Sequence, residues 1–219
     1  MTEIRQVGDH ALLLQLEDNE AVHAARRVVR DRFGDQLVEV VPGHQTLLVV
    51  WDEGSEDAVA LVSDLKALAS DASGFKSDTS AIVKEPPPPV VVIPVRYDGA
   101  DLEEVAAKLS VSQQAVIGVH AGAEYVVAFM GFSPGFPYLI ADQSARGRLP
   151  LLELPRRSTP RTEVPAGSVA VAAGYCGIYP HSSPGGWNLL GRTDAVLFDA
   201  ERDPPALLEP GARVRFEPA

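Results

Sequence analysis

The stretch LPRRSTPRTEVPAGSVAVAAGYCGIYPHSSPGGWNLLGRT, Leu154 to Thr193, sets short β-prone runs between glycines and prolines. Ser168 to Ala173 and Trp187 to Leu190 have the length and composition of strands, and residues that turn or stop a chain bound each of them. The same texture extends both ways, with Tyr125 to Phe132, Ala195 to Phe198 and Arg213 to Phe216 reading as further short strands. Val90 to Tyr97 precedes them as a strand, followed by two short helical segments, Asp101 to Leu109 and Ser112 to Ala121. Many short strands between such turns predict a closed or barrel-like β domain.

Upstream the pattern differs. Ala11 to Leu16 is a short apolar strand, and Asn19 is placed to cap a helix through Phe33 whose Val22, Ala25 and Val29 form one stripe. Leu37 to Val41, the turn Pro42-Gly43 and Thr46 to Trp51 read as a hairpin. Ser55 can cap a second helix with Ala58, Leu61, Val62, Leu65 and Leu68 on one face. This order predicts a small sheet covered on one side by helices. The run Pro86-Pro87-Pro88-Pro89 fits neither helix nor central strand and favours a stiff, extended connector. The expected class is therefore α+β: a sandwich-like α/β domain over 1–82, a proline-rich linker over 83–89, and a β-barrel domain over 90–219.

Composition narrows the function. Hydrophobic residues make up 46% of the 219 positions and charged residues 22%, the balance of a soluble globular protein able to bury a core. No apolar run reaches the length of a membrane span. A formal net charge of −11 argues against nucleic acid as a partner, because such binders neutralise phosphates. The acidity is uneven, however: five arginines, Arg146, Arg148, Arg156, Arg157 and Arg161, face a single acid, Glu153, between Gln143 and Thr162. A local cationic patch suits a small anion or an acidic partner surface, and it equally suits a solvated loop. The N-terminus carries acids early, unlike a signal peptide, and the single Cys176 excludes an internal disulfide framework. Both point to the cytoplasm.

Gly131-Phe132-Ser133-Pro134-Gly135 fits G-x-S-x-G, the spelling of a nucleophile elbow. An elbow needs a backbone N–H on the residue after the serine, and Pro134 has none. Ser133 therefore reads as a turn residue. Gly135 would let backbone approach a ligand closely, and the flanking prolines would hold the loop without an ordering cost. A plain structural turn is the alternative.

Taken together and in order, GFSPGFPYL, PRRSTPRTEVPAGSVA, GIYP and SPGGWNLLGRT strongly resemble the family called allophanate hydrolase subunit 1. That family includes the Kip inhibitor of a sporulation histidine kinase and the B-type subunit of bacterial 5-oxoprolinase, and the resemblance spans nearly the whole chain. It implies a C-terminal barrel of the cyclophilin type. It also implies a partner, subunit 2 (the C-type subunit of 5-oxoprolinase), with a possible third, large hydrolase subunit. The assembled complex would use ATP to hydrolyse a small amide or lactam such as 5-oxoproline or allophanate, and this chain alone would be inactive. The sequence contains no G-x-x-x-x-G-K-[ST] loop to hold a triphosphate. The alternative is a regulatory protein that binds a histidine kinase through the barrel and has no reaction of its own. A cyclophilin-like proline isomerase is a third reading, and fold similarity alone is weak warrant for it.

The candidate substrate-binding residues are Arg156, Arg157 and Arg161, held between prolines and suited to bidentate recognition of a carboxylate, with Gly135, Phe136 and Trp187. The arginines could instead pair with the partner subunit, and Trp187 could be core. His181, in a Pro/Gly loop, is the candidate for proton exchange, and polar surface is its alternative. His120 reads as packed or capping and Cys176 as a small buried residue. His10, His23 and His44 lack ligand-like spacing, so no metal site is expected.

The linker yields the first prediction. Limited proteolysis should cut first between Ser70 and Pro89, releasing an α/β fragment and a β-rich fragment. Earlier cleavage within PRRSTPR would count against this boundary.

Overall fold

Leu47, Val49 and Trp51 are buried while Thr46, Leu48 and Val50 are only partly so, the two-residue period of a strand with one face on a core. In the computed structural model, which describes residues 3–52, 60, 62–64, 66–67, 89–142 and 149–219, this strand belongs to the first of two compact units, Met1–Pro87 and Pro88–Ala219. The first unit has an antiparallel sheet of order β1-β2-β4-β3, formed by β1 (Glu3–Gln6), β2 (Ala11–Gln15), β3 (Leu37–Pro42) and β4 (Thr46–Trp51). Helix α1 (Asn19–Phe33) buries Val22, Ala25, Val28 and Val29 against Leu12, Leu14, Leu47 and Val49. The cap is Asp18 rather than Asn19: the Asp18 carboxylate accepts from the Ala21 amide at 2.8 Å. The Asn19 amide donates instead to the carbonyls of Gly43 and His44, tying the helix start to the hairpin turn. Residues 60, 62–64 and 66–67 are helical, and Val62 packs against this core. Ser55, Leu61, Leu65, Leu68, linker residues 83–88, Arg146 and Arg148 lie outside the described residues.

The second unit contains β5 (Val90–Val95), α2 (Leu102–Lys108), α3 (Gln113–Ala121), β6 (Glu124–Met130), β7 (Pro137–Ala141), β8 (Arg161–Val164), β9 (Ser168–Ala172), β10 (Tyr175–Ile178), β11 (Ser183–Gly185), β12 (Asn188–Arg192) and β13 (Arg213–Pro218). Seven strands form one sheet, β12-β9-β10-β7-β6-β13-β5, antiparallel except for the β13–β5 pair. Its two edges meet: Arg96, just past β5, and Arg192 in β12 exchange both main-chain hydrogen bonds, each 2.9 Å. The amides of Gly99 and Asp101 continue the seam onto the carbonyls of Leu190 and Leu189, both at 3.1 Å. The sheet therefore closes into a barrel. Gly99 and Gly191 make the closure possible, because a Cβ on either would overlap main-chain atoms of the opposing segment.

The barrel interior is packed with Ile93, Val95, Val127, Val171, Ile178 and Phe216, and α2 and α3 add Leu102, Val105 and Val116. Strand β9 is buried on both faces. Val169 and Val171 join the interior, while Ala170 and Ala172 join a separate outer cluster with Phe136, Val164, Tyr179, Trp187 and Leu189. His120 lies fully inside: its Nδ1 is 2.7 Å from the Tyr97 hydroxyl, its Nε2 is 3.3 Å from Cys176 Sγ, and its ring stacks on Phe216. Burial pushes the imidazole down to about 3 and pushes the Cys176 thiol up. His120 is packed.

Ala195 to Phe198, expected as a strand, makes only a single bridge between Phe198 and Ala206. The Arg202 guanidinium donates to the carbonyls of Val196, Leu197, Pro204 and Pro205, taking the place of a ladder. The strand expected over Tyr125 to Phe132 ends at Met130, before Phe132 turns left-handed at φ +66°. No described helix is long and apolar enough to cross a membrane.

The seam and the interior can each be tested. Gly99→Ala should destabilise the protein by about 1–3 kcal/mol through backbone overlap. Gly118→Ala, on an open face of α3, should stabilise it by roughly 0.5–1 kcal/mol. Urea unfolding of both variants checks the pair, and a neutral Gly99→Ala would dismiss the seam.

The test of the interior uses pH. The His120 pKa is lowered on folding, so the unfolded chain takes up a proton below about 6.5 that the folded chain refuses. Its contribution is fully present above that pH and falls by about 1.4 kcal/mol per unit as pH drops toward 3. His120→Gln should flatten the slope of stability between pH 6.5 and 5, measured by denaturant midpoints. Equal slopes in both proteins would contradict a neutral buried imidazole.

Candidate functional site

The loop after β6 closes on itself. The Gly131 amide donates to the Phe136 carbonyl at 3.2 Å, Ser133 to Gly131 at 2.7 Å, and Phe136 to Ser133 at 3.0 Å. Gly135 takes φ +78° with its α-carbon against the Phe198 side chain, so a Cβ there would meet both strain and a neighbour. Phe132 adopts a left-handed backbone that disfavours L-residues by about 1–2 kcal/mol, and 62% of it is exposed. Ser133 Oγ is buried without a partner among the described residues, so no base there withdraws its proton.

Phe132 and Phe136 from this loop, Tyr138 of β7, Tyr175 of β10, Tyr179 and Trp187 wall a cavity of about 240 Å³ on the outer side of the barrel. The small outward residues of β9, Ala170 and Ala172, belong to the same cluster and leave room for large rings. The rings pack edge to face: Phe136 meets Trp187 at 5.7 Å and 88°, and Tyr138 meets Tyr175 at 5.4 Å and 89°. Burial pushes the Tyr175 phenol up to about 12 and also raises those of Tyr138 and Tyr179, which Arg156 partly opposes. All three hydroxyls are therefore protonated at neutral pH and can donate hydrogen bonds. Arg156 is the one described cation lining the cavity.

Arg156 is presented from a segment fastened on both sides. Asn188 Nδ2 donates to the Pro155 carbonyl at 3.1 Å, and the Arg157 amide donates to the Gly186 carbonyl at 2.7 Å. The Arg157 side chain reaches Asp101 Oδ1 at 2.6 Å and Glu104 at 2.9 Å, and Arg161 reaches the same Asp101 oxygen at 2.7 Å. Asp101 is buried, and its second oxygen accepts from the Leu189 amide at 2.7 Å.

The sequence candidates thus divide. Arg156, Phe136 and Trp187 come together on the cavity, and Gly135 seats the loop that carries Phe136. Arg157 and Arg161 turn to Asp101 instead. His181 is exposed on the loop between β10 and β11 and does not line the cavity. Sequence reasoning passed over Asp101, read only as a helix start, and the three tyrosines. Their signal was present as the aromatic repeats GFPYL and GYCGIYP.

One guanidinium, phenol donors and flat apolar walls suit a small, planar, singly charged anion. They do not fit a triphosphate, whose several charges require more cations and amide donors than this cavity offers. Among the described residues there is no cluster of His, Cys, Asp and Glu able to hold a metal ion.

The barrel carries a ligand-sized cavity on its outer wall, and similarity to known proteins places the chain in a family. The chain belongs to the carboxyltransferase domain family, subdomain C and D, whose model matches residues 2–208. It is 39% identical over 220 residues to the B-type subunit of 5-oxoprolinase from Escherichia coli O157:H7, covering 97% of this chain and 94% of that protein. It is 35% identical over 230 residues to the corresponding 5-oxoprolinase subunit from Bacillus subtilis (strain 168), covering 98% and 91% respectively. Among solved structures, TTHA0988 matches with a TM-score of 0.74 at 35% identity, covering 99% of this chain but only 41% of that longer chain. The Kluyveromyces lactis urea amidolyase shares the fold, with a TM-score of 0.65 at 20% identity over 100% of this chain and 15% of that one.

Proposed function

We propose that the protein is the B-type subunit of a multi-subunit, ATP-dependent amidohydrolase, and that its outer cavity holds a small cyclic amide bearing a carboxylate. 5-Oxoproline fits this description best. The observation that carries the reading is the cavity itself: Arg156 offers a fork to one carboxylate, and Phe136 and Trp187 offer flat walls to one ring. The two 5-oxoprolinase relatives, similar over nearly their whole length, support the same substrate.

On this reading the chain binds and orients. It excludes water from one side of the ring, and neutral phenols donate to the lactam or carboxylate oxygens. ATP supplies the driving force in the assembled enzyme and is held elsewhere than in this cavity. The described residues offer no complete nucleophile, base and oxyanion set, so the reaction is completed with a subunit 2 partner and a large hydrolase subunit. TTHA0988 supports such an arrangement, since this chain corresponds to two-fifths of a longer polypeptide there. His181, on its exposed loop, is the proton carrier a covering partner would enclose. The assembly works in the cytoplasm.

The test is kinetic, on enzyme reconstituted from all subunits. Arg156→Ala should raise KM for 5-oxoproline by roughly 10- to 150-fold, the loss of a charge-assisted hydrogen bond, with assembly intact. The purified chain alone should turn over nothing. An unchanged KM would remove the carboxylate from this cavity, and turnover by the lone chain would overturn the need for partners.

A further inference from the structure

Arg156 is long, flexible and exposed, yet it recognises a carboxylate well only if its backbone stands still. The residues around it are fixed more firmly than a surface loop requires. The barrel seam brings the Asp101 amide to the Leu189 carbonyl, and the Leu189 amide returns to Asp101 Oδ2. Asp101 Oδ1 then receives Arg157 and Arg161, which lie on either side of Ser158, Thr159 and Pro160. Arg157 Nε and Arg161 Nη1 are buried with no partner among the described residues, and both guanidiniums meet at Asp101 Oδ1, with Arg157 also reaching Glu104. Residues 157 to 161 are thus tied at both ends to one buried carboxylate.

We propose that Asp101 is a positioning residue for substrate binding: its buried carboxylate, gripping Arg157 and Arg161 from the seam, fixes the segment that carries Arg156 and so sets the affinity of the cavity for a carboxylate. Asn188 shares the task, because its amide holds the Pro155 carbonyl next to Arg156. The ligand class is that proposed above, a small cyclic amide acid, and this inference rests on that reading. Arg157 and Arg161 thereby act through the backbone. They do not touch the ligand.

The experiment is a double-mutant cycle on the reconstituted enzyme, with KM for 5-oxoproline and kcat measured separately. Asp101→Asn should raise KM about tenfold with kcat little changed, because a displaced Arg156 loses binding geometry. In an Arg156→Ala background the same change should add nothing to KM. Arg157→Lys, which keeps the charge beside Asp101 but loses the reach and planar head of the guanidinium, should raise KM several-fold and likewise fall silent without Arg156. It stands in for Asp101→Asn if that variant fails to assemble. The outcomes separate the two readings. If Arg156→Ala alone leaves KM unchanged, the carboxylate reading falls and this inference with it. If Arg156→Ala raises KM while folded Asp101→Asn and Arg157→Lys leave it at the wild-type value, only the positioning role is overturned. Effects of Asp101→Asn that are the same with and without Arg156 mark a merely structural residue and overturn it too.

Discussion

Two main-chain hydrogen bonds between Arg96 and Arg192 decide the shape of the C-terminal unit. Without them β5 and β12 would be open edges, each offering unpaired amides and carbonyls to other chains. Because Gly99 and Gly191 carry no side chain, the segment after β5 lies directly on β12, and Asp101 is delivered to Leu189. A carboxylate buried there requires compensation, and Arg157 and Arg161 supply it. The proline-bounded segment between them is pinned as a result, and Arg156 is the cation it leaves facing the cavity. Barrel closure and site assembly are one chain of contacts.

The other half of the site follows from the sequence Val169-Ala170-Val171-Ala172. Large side chains turn inward and fill the barrel; small ones turn outward and leave room for rings. Each buried aromatic contributes on the order of 1.5–3 kcal/mol, so the outer cluster has its own hydrophobic reason to form. Trp187 meets both Phe136 and Tyr138 edge to face, at 5.7 and 5.6 Å, at the wall of the cavity.

Much of the fold was legible. Short β-prone runs bounded by turn residues marked β4, β9 and β13, the 3.6-residue stripe marked α1, and Gly/Pro punctuation indicated a closed β unit. Strands β7, β8, β10 and β11 escaped because they are short and contain or adjoin proline and glycine, whose usual meaning is a turn. The site was half legible. Phe136, Trp187 and Arg156 stood in recognisable loops, whereas the division of labour among three arginines depended on Asp101, which is 56 residues from Arg157 in sequence and adjacent in space. Local pattern carries no information about such a pairing until the barrel has closed.

The barrel's interior is filled with side chains and the cavity lies outside it. A ligand held there, as proposed, would never cross the core, and nothing within the barrel would have to open to admit it. Arrival and escape are governed by whatever covers the mouth. In the proposed assembly the cover is another polypeptide, which makes residence time a property of a quaternary seal rather than of internal breathing. On the proposed reading, selectivity for a different small anion could be reached by exchanging the less buried wall rings Phe132 or Tyr175, leaving the barrel interior untouched.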